Sequence, residues 1–334
     1  MKGLRWWLKT VGILLLALVG VIAIYVLRTW DRTYAAPLPD DIHASTDPAI
    51  VAKGEYLVYG PAHCVECHGT SFDSLSRLAD GVKVPLSGGL RMPMGPLGAV
   101  YSQNLTPDKE TGIGRYSDAD FARMMRWAVR PNGRSTVEPM MPFGNMSRDD
   151  LIAILSFLRA QPSVRNRVPE NEWTTMGKVV KSVSPVFKPR QTINPPATAP
   201  PSQMTKERGE YLARYVSNCV GCHTPRDPTT FSATGPDFTG GFELEPLPVA
   251  DADPKVYYRS PNITSKEGSA LMKFPDRETF VARFQRGGRQ YAGSAMPWEA
   301  FARMSTEDLG AIYEFLRGLP PLDGPSGDPA VRKE

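Results

Sequence analysis

The four cysteines of the 334-residue sequence fall in two pairs, Cys64 with Cys67 and Cys219 with Cys222, and each pair is followed at once by a histidine, His68 or His223. Cys-x-x-Cys-His is the attachment pattern of c-type haem: two cysteines on one short helical turn form thioethers to the vinyl groups, and the adjacent imidazole faces the iron. A zinc site or a dithiol redox site also uses two cysteines at this spacing. Zinc would leave both histidines unexplained, and recurrence of the whole motif within matching flanks argues against both rivals. Two covalently bound haem c groups are therefore expected.

A methionine at the iron's second axial position raises the reduction potential and closes the site, whereas an empty position admits small ligands. Met141-Pro142-Phe143 and Met296-Pro297-Trp298 supply candidates, each at the same distance beyond its histidine. The proline stiffens the loop and offers no backbone N–H. With 13 methionines in the chain, core packing is the ordinary role for any one of them, but the shared register sets these two apart. Met140 is an alternative to Met141; Met92 and Met94 are weaker ones, having no counterpart in the second half. The expected cofactor-binding set is thus Cys64, Cys67, His68, Met141, Cys219, Cys222, His223 and Met296. Of these His68, Met141, His223 and Met296 would ligate iron, and no catalytic acid, base or nucleophile is invoked. His63 reads as a surface or propionate-side residue, and His43 as a solvated one.

The elements that must position these residues repeat as well. Gly54-Glu55-Tyr56-Leu57 recurs as Gly209-Glu210-Tyr211-Leu212, Asn104-Leu105-Thr106 as Asn262-Ile263-Thr264, Phe121 and Arg130 as Phe280 and Arg289, and Asp150-Leu151 as Asp308-Leu309. Two copies read as a duplicated domain rather than a solenoid. Each copy opens with a helix, Pro48–Tyr59 or Lys206–Val216, that runs into the cysteine motif, followed by a long loop rich in glycine and proline. A second helix starts at the caps Ser117 or Asp276 and a third at Ser147 or Ser305, the latter carrying Leu151, Ile154, Leu155 and Leu158, or Leu309, Ile312, Tyr313, Phe315 and Leu316, at helical spacing. The predicted fold is all-α: two tandem class I-like cytochrome c domains with long loops, behind one N-terminal transmembrane helix. The expected divisions are an anchor and stalk (1–44), a first domain (45–165), a linker (166–203), a second domain (204–320) and a tail (321–334). The linker ends in a proline-rich run. Its front, Trp173 to Phe187, alternates basic and apolar residues and reads as a strap packed between the domains, with contact to lipid or a partner as the other reading.

Thr10 to Leu27 is uncharged and almost wholly apolar, about 27 Å of helix, enough to cross the hydrocarbon layer. Lys2, Arg5 and Lys9 precede it, so the rest of the chain is expected outside the cytoplasm, in the periplasm of a bacterial inner membrane. A cleaved signal peptide is the rival, but its weak site at Tyr34-Ala35-Ala36 lies well past the apolar run and before Pro37. The formal charge of +4 is small for this length, which argues against a nucleic-acid partner.

These motifs, with Tyr101-Ser-Gln-Asn-Leu-Thr-Pro-Asp-Lys-Glu-Thr-Gly-Ile-Gly and Val129-Arg130, resemble the cytochrome c subunits of bacterial membrane-bound alcohol, gluconate and aldehyde dehydrogenases. The likeness covers both copies but neither anchor nor linker, and those subunits usually carry three haem domains. It implies electron transfer between a periplasmic or membrane-bound dehydrogenase as donor and a quinone, soluble cytochrome or terminal oxidase as acceptor. It further implies that Asn104, Asn262, Arg130 and Arg289 lie near the haems. A dihaem peroxidase and the dihaem subunit of a terminal oxidase are the rival functions.

Overall fold

A computed structural model describes residues 2–72, 75–249 and 251–332. Helix α1 (Lys2–Thr29) stands apart with its apolar side chains exposed, and it is long and apolar enough to span a membrane. The first repeat contains α2 (Pro48–Tyr59), α3 (Cys64–His68), α4 (Leu75–Ala79), α5 (Asp118–Trp127) and α6 (Arg148–Ala160). A connecting helix, α7 (Thr175–Val183), leads to the second repeat with α8 (Lys206–Tyr211), α9 (Cys219–Cys222), α10 (Arg277–Arg286), α11 (Trp298–Phe301) and α12 (Thr306–Arg317). The predicted helix over Lys206–Val216 forms as α8 followed by a wide π turn through Leu212–Val216. Side-chain caps start the helices where the sequence places them. Ser117 accepts from Asp120, Asp276 from Thr279, Ser147 from Asp150 and Ser305 from Asp308, each satisfying a first-turn N–H.

The first and last helices of each repeat cross at a glycine. A Cβ on Gly54 would come within 1.9 Å of the Ala153 carbonyl, and one on Gly209 within 1.9 Å of the Ala311 carbonyl. Only glycine permits backbones this close. The aliphatic stripes of α6 and α12 are buried there, and one continuous apolar core includes residues of both repeats.

The all-helical expectation is incomplete, because two three-stranded sheets are present. In the first, β1 (Arg91–Pro93) and β2 (Gly98–Tyr101) pair antiparallel, and β3 (Glu172–Trp173) adds to β2 from beyond the repeat. In the second, β4 (Glu243–Leu244) and β5 (Val256–Arg259) pair likewise, and β6 (Ala330–Arg332) adds from the tail. Backbone groups in the long loops need partners once the loops lie against the body, and each repeat's outgoing chain supplies them. The stalk is also held down: Ile42 is fully buried, the Ala44 N–H donates to Asp118 at 2.8 Å and the Ser45 N–H to Ser156 at 2.8 Å.

The repeats are joined by two matching clasps. The Tyr56 hydroxyl of α2 donates to Asp308 at 2.7 Å while accepting from the Ser305 N–H at 3.2 Å. Reciprocally, the Tyr211 hydroxyl of α8 donates to Asp150 at 2.6 Å while accepting from the Ser147 N–H at 3.0 Å. Each tyrosine thus inserts its hydroxyl between the N-cap backbone and the third-residue carboxylate of the other repeat's last helix, two groups that bond directly in an ordinary capping box. Both carboxylates are wholly buried and each also meets a cation of its own repeat: Lys53 lies 2.6 Å from Asp150, and Arg208 grips Asp308 with both of its contacts at 2.8 Å.

Burial first, then the facing aspartate, raises both tyrosine pKa values above the ordinary 10.0. The folded state therefore keeps these protons to higher pH than the unfolded chain does, so the contribution is complete below pH 10 and fades as pH rises through the folded-state pKa. Tyr56→Phe and Tyr211→Phe are each expected to cost about 1–3 kcal/mol in chemical denaturation at neutral pH, since each takes one donor from a buried carboxylate and the acceptor from a cap N–H. Each should also flatten the stability loss above pH 10. An unchanged alkaline limb in the double variant would contradict the assignment.

Candidate functional sites

The helix carrying each clasp tyrosine runs directly into a cysteine motif. His63 before Cys64 and Asn218 before Cys219 both adopt left-handed backbone, φ 38° and 52°, and turn the chain into the short helices α3 and α9. His68 and His223 lie at the ends of these helices. Their Nδ1 atoms meet backbone carbonyls, Gln103 O at 2.7 Å and Pro261 O at 2.8 Å respectively. A carbonyl only accepts, so Nδ1 must carry the proton and Nε2 is left with its lone pair free, the form in which histidine ligates a metal. Burial lowers the pKa of both rings and favours the neutral imidazole.

Two glycines outside the cysteine motifs make this orientation possible. The Gly88 N–H donates to the His68 carbonyl at 2.9 Å and the Gly240 N–H to the His223 carbonyl at 2.7 Å. Both have positive φ, and a Cβ on either would fall 2.5 Å from the carbonyl-bearing residue that orients the ring, Gln103 or Pro261. The only sequence signal was the Gly-Gly pair at corresponding places in the two copies. Asn104 and Asn262, next along from those residues, are buried. They spend their amides on Thr106 and Val164, or Thr264 and Leu322, tying the loop to the chain leaving the repeat.

Cys64, Met141, Cys219 and Met296 all pack against the shared apolar core, whereas Met140 is exposed and Met92 pairs in β1. The four cysteines are free thiols, and burial pushes Cys64 and Cys219 up to about 12, away from thiolate chemistry. Among the described residues, no three His, Cys, Asp or Glu side chains converge as a zinc site requires. His43 is exposed as expected. His63 is not a free surface residue: its ring lies edge-on to Phe301 of the second repeat at 5.5 Å, and burial lowers its pKa to about 4.

The methionine loops are held by arginines, differently in the two repeats. Arg289 donates to the carbonyls of Ser294 and, at 2.9 Å, Met296, and its other terminal nitrogen lies 2.8 Å from Glu299 and 2.9 Å from Glu66. Glu66 is one of the two residues between Cys64 and Cys67, so this buried ion cluster ties the first motif to the second methionine loop. In the first repeat Arg126 holds the loop instead, donating to Gly144 at 3.0 Å and Met146 at 2.5 Å. Arg130, the counterpart of Arg289, has no hydrogen-bond or ion-pair partner for its guanidinium among the described residues, and burial lowers its pKa. A part-buried, unpartnered cation fits an anionic group of a bound ligand, such as a haem propionate. Free Nε2 lone pairs, paired thiols, packed thioethers and this cation together fit haem c.

A mainly helical chain with these paired motifs resembles the c-type cytochromes. Over most of its length it is homologous to proteins named as cytochrome c subunits of dehydrogenases. It is 34% identical over 296 residues to the cytochrome c subunit of a quinone alcohol dehydrogenase of Gluconobacter oxydans, covering 82% of this chain and 55% of that protein. It is 33% identical over 201 residues to the gluconate 2-dehydrogenase cytochrome c subunit of Pantoea cypripedii, covering 58% and 42%. A dihaem cytochrome c-type protein of Cereibacter sphaeroides aligns at 24% identity across 94% of this chain and 98% of its own length. The chain spans about 60% of the length of the alcohol dehydrogenase subunits of Gluconacetobacter polyoxogenes and Komagataeibacter europaeus that it also matches. No protein-family model matches the chain.

Arg289→Leu would leave Glu66 and Glu299 facing each other without a cation, and burial already raises Glu66 to about 7. The expected cost is about 3–5 kcal/mol in chemical denaturation, as for other broken buried ion pairs. Adding Glu66→Gln to the same chain should recover part of it, and strict additivity in that double-mutant cycle would show that the two side chains do not interact.

Proposed function

We propose that the chain is a dihaem electron carrier. The paired Cys64/Cys67 and Cys219/Cys222 thiols would hold two haem c groups, with His68 and Met141 ligating one iron and His223 and Met296 the other. The observation that carries this reading is the twofold occurrence of a neutral histidine whose Nδ1 is fixed on a backbone carbonyl directly after a Cys-x-x-Cys turn. When bound, haem supplies reversible one-electron chemistry at iron. The chain's own residues orient the imidazoles, pack the thioethers against the core, exclude water and present Arg130 to a propionate. Two tandem cytochrome c domains over 45–165 and 204–320 would be the working unit. By analogy with the named relatives, a dehydrogenase is the proposed donor, and a quinone, soluble cytochrome or oxidase the proposed acceptor.

The same reading keeps α1 as a membrane anchor with the haem domains on the periplasmic face. Residues directly after α1 are structural parts of the folded body. Asp31 pairs with Arg134 at 2.5 Å and with the nearly buried Lys181 at 3.3 Å, and the Tyr34 N–H donates to Gly133 at 2.8 Å. Signal cleavage after Ala36 would remove all of these and leave Lys181 buried without its counter-charge.

Visible spectra of the detergent-purified protein test the carrier reading. Both haems are expected to be low-spin and indifferent to carbon monoxide. Met141→Ala and Met296→Ala should each open one iron, so that about half of the haem binds the gas and its potential falls. Ready binding by the unaltered protein would instead favour the peroxidase reading.

A further inference from the structure

Helix α7 sits where α1 meets the folded body. Thr174 caps it, and Gly177 packs so closely on the Leu97 carbonyl that a Cβ would fall 2.1 Å from that oxygen. Ser182 is also buried, and Val180 joins a small cluster with Val100, Val137, Val186 and Phe187. The helix is thus firmly seated on one face. Its other face presents an apolar stripe at helical spacing: Met176 is 55% exposed, Val179 39% and Val183 55%. Nine residues make a helix of about 14 Å, too short to cross a membrane but long enough to lie on one.

The contacts of α7 place it beside the exit of α1. Lys178 and Lys181 both lie over the ring of Trp30, the first residue past α1, at 4.9 and 5.1 Å. Lys181 also pairs with Asp31, and Asp31 with Arg134, so the exit of the apolar helix is clamped to α7 from two sides. A tryptophan at the end of a span marks the headgroup level. A seated amphipathic helix fixed to that tryptophan through its lysines stands at the same level, and its exposed stripe continues the exposed apolar surface of α1.

We propose that α7 is an in-plane membrane helix, its Met176, Val179 and Val183 side chains entering the headgroup and acyl boundary of the bilayer that α1 crosses, and Lys178 and Lys181 at the level of the lipid phosphates. The proposal rests on the reading of α1 as a retained span. Such a contact fixes not only the distance of the first repeat from the membrane but also its rotation about α1, which a single flexible tether leaves free. The face turned to lipid would be the one carrying β1, β2 and β3, because Leu97 and Trp173 lie beneath α7.

The test uses the full haem-loaded chain in nanodiscs of phosphatidylethanolamine and phosphatidylglycerol. A ketone-bearing residue placed singly at 176, 179 or 183 is labelled with a nitroxide through an oxime, which leaves cysteines untouched. Collision rates with oxygen, enriched in lipid, and with a water-soluble nickel chelate are then measured, with Leu16 in α1 and the exposed Val82 of the first repeat as references. The three α7 sites should reverse from the nickel-dominated ratio at 82 towards the oxygen-dominated ratio at 16. Nickel-dominated values at all three, with 16 still oxygen-dominated, overturn the proposal. Shielding from both reagents also overturns it and points to a protein contact. If 16 itself meets nickel, the span reading has failed instead.

Discussion

Two tyrosine hydroxyls hold this molecule together as one body. Asp150 and Asp308 are carboxylates with no access to water, and each sits in the first turn of a core helix where its charge is favoured but its lone pairs need donors. In an isolated repeat the N-cap backbone would be the natural partner. Here a tyrosine from the other repeat intervenes, taking the cap N–H as acceptor and serving the carboxylate as donor. A side chain with one O–H and an acceptor lone pair is the chemical requirement, which phenylalanine lacks. Because each repeat contributes both a tyrosine and a cap, the contact is self-complementary, as in a two-fold dimer built from one chain. Each carboxylate is thus held by a cation of its own repeat and a hydroxyl of the other, which favours docking of the two halves in one orientation.

That orientation positions the candidate sites. Tyr56 and Tyr211 each lie eight residues ahead of a cysteine motif, so docking the tyrosines also sets the two motifs at a defined separation and angle. The ion cluster of Glu66, Arg289 and Glu299 and the edge contact of His63 on Phe301 then lock the first motif against the second repeat's methionine loop. Every one of these side chains comes from within a few residues of a proposed iron ligand. The relation between the sites is therefore built into the packing and does not depend on the linker.

Much of this was legible in the sequence, because it rests on short-range rules. The cysteine motifs, the caps Ser117, Asp276, Ser147 and Ser305, the aliphatic stripes of α6 and α12 and the shared register of Met141 and Met296 each need only a few neighbouring residues to be recognised. What escaped needs partners far along the chain. The repeat of Gly-Glu-Tyr-Leu was visible, but not that its tyrosine caps the other copy's helix. Strands β3 and β6 are two or three residues long and have no period to detect, since their pairing is imposed by the hairpins they return to. Gly88 and Gly240 show their purpose only once Gln103 and Pro261 are placed behind them. His63 carries no pattern at all, and only the docked repeat makes it an interior residue.

The symmetry of the frame stops at the charges, and this is where the two sites part. At corresponding positions Arg289 is neutralised by two buried carboxylates, one from each repeat, while Arg130 faces none. Buried charges act over distance because little water screens them, so corresponding positions in the two repeats sit in different charge environments. Duplication alone would give two equal sites and no direction between them. Glu66, whose counterpart in the second motif is Gly221, breaks that equality while the tyrosine clasps, the glycine crossings and the histidine carbonyl bonds are the same in both halves. A duplicated frame can in this way hold unequal charges at corresponding positions without being rebuilt.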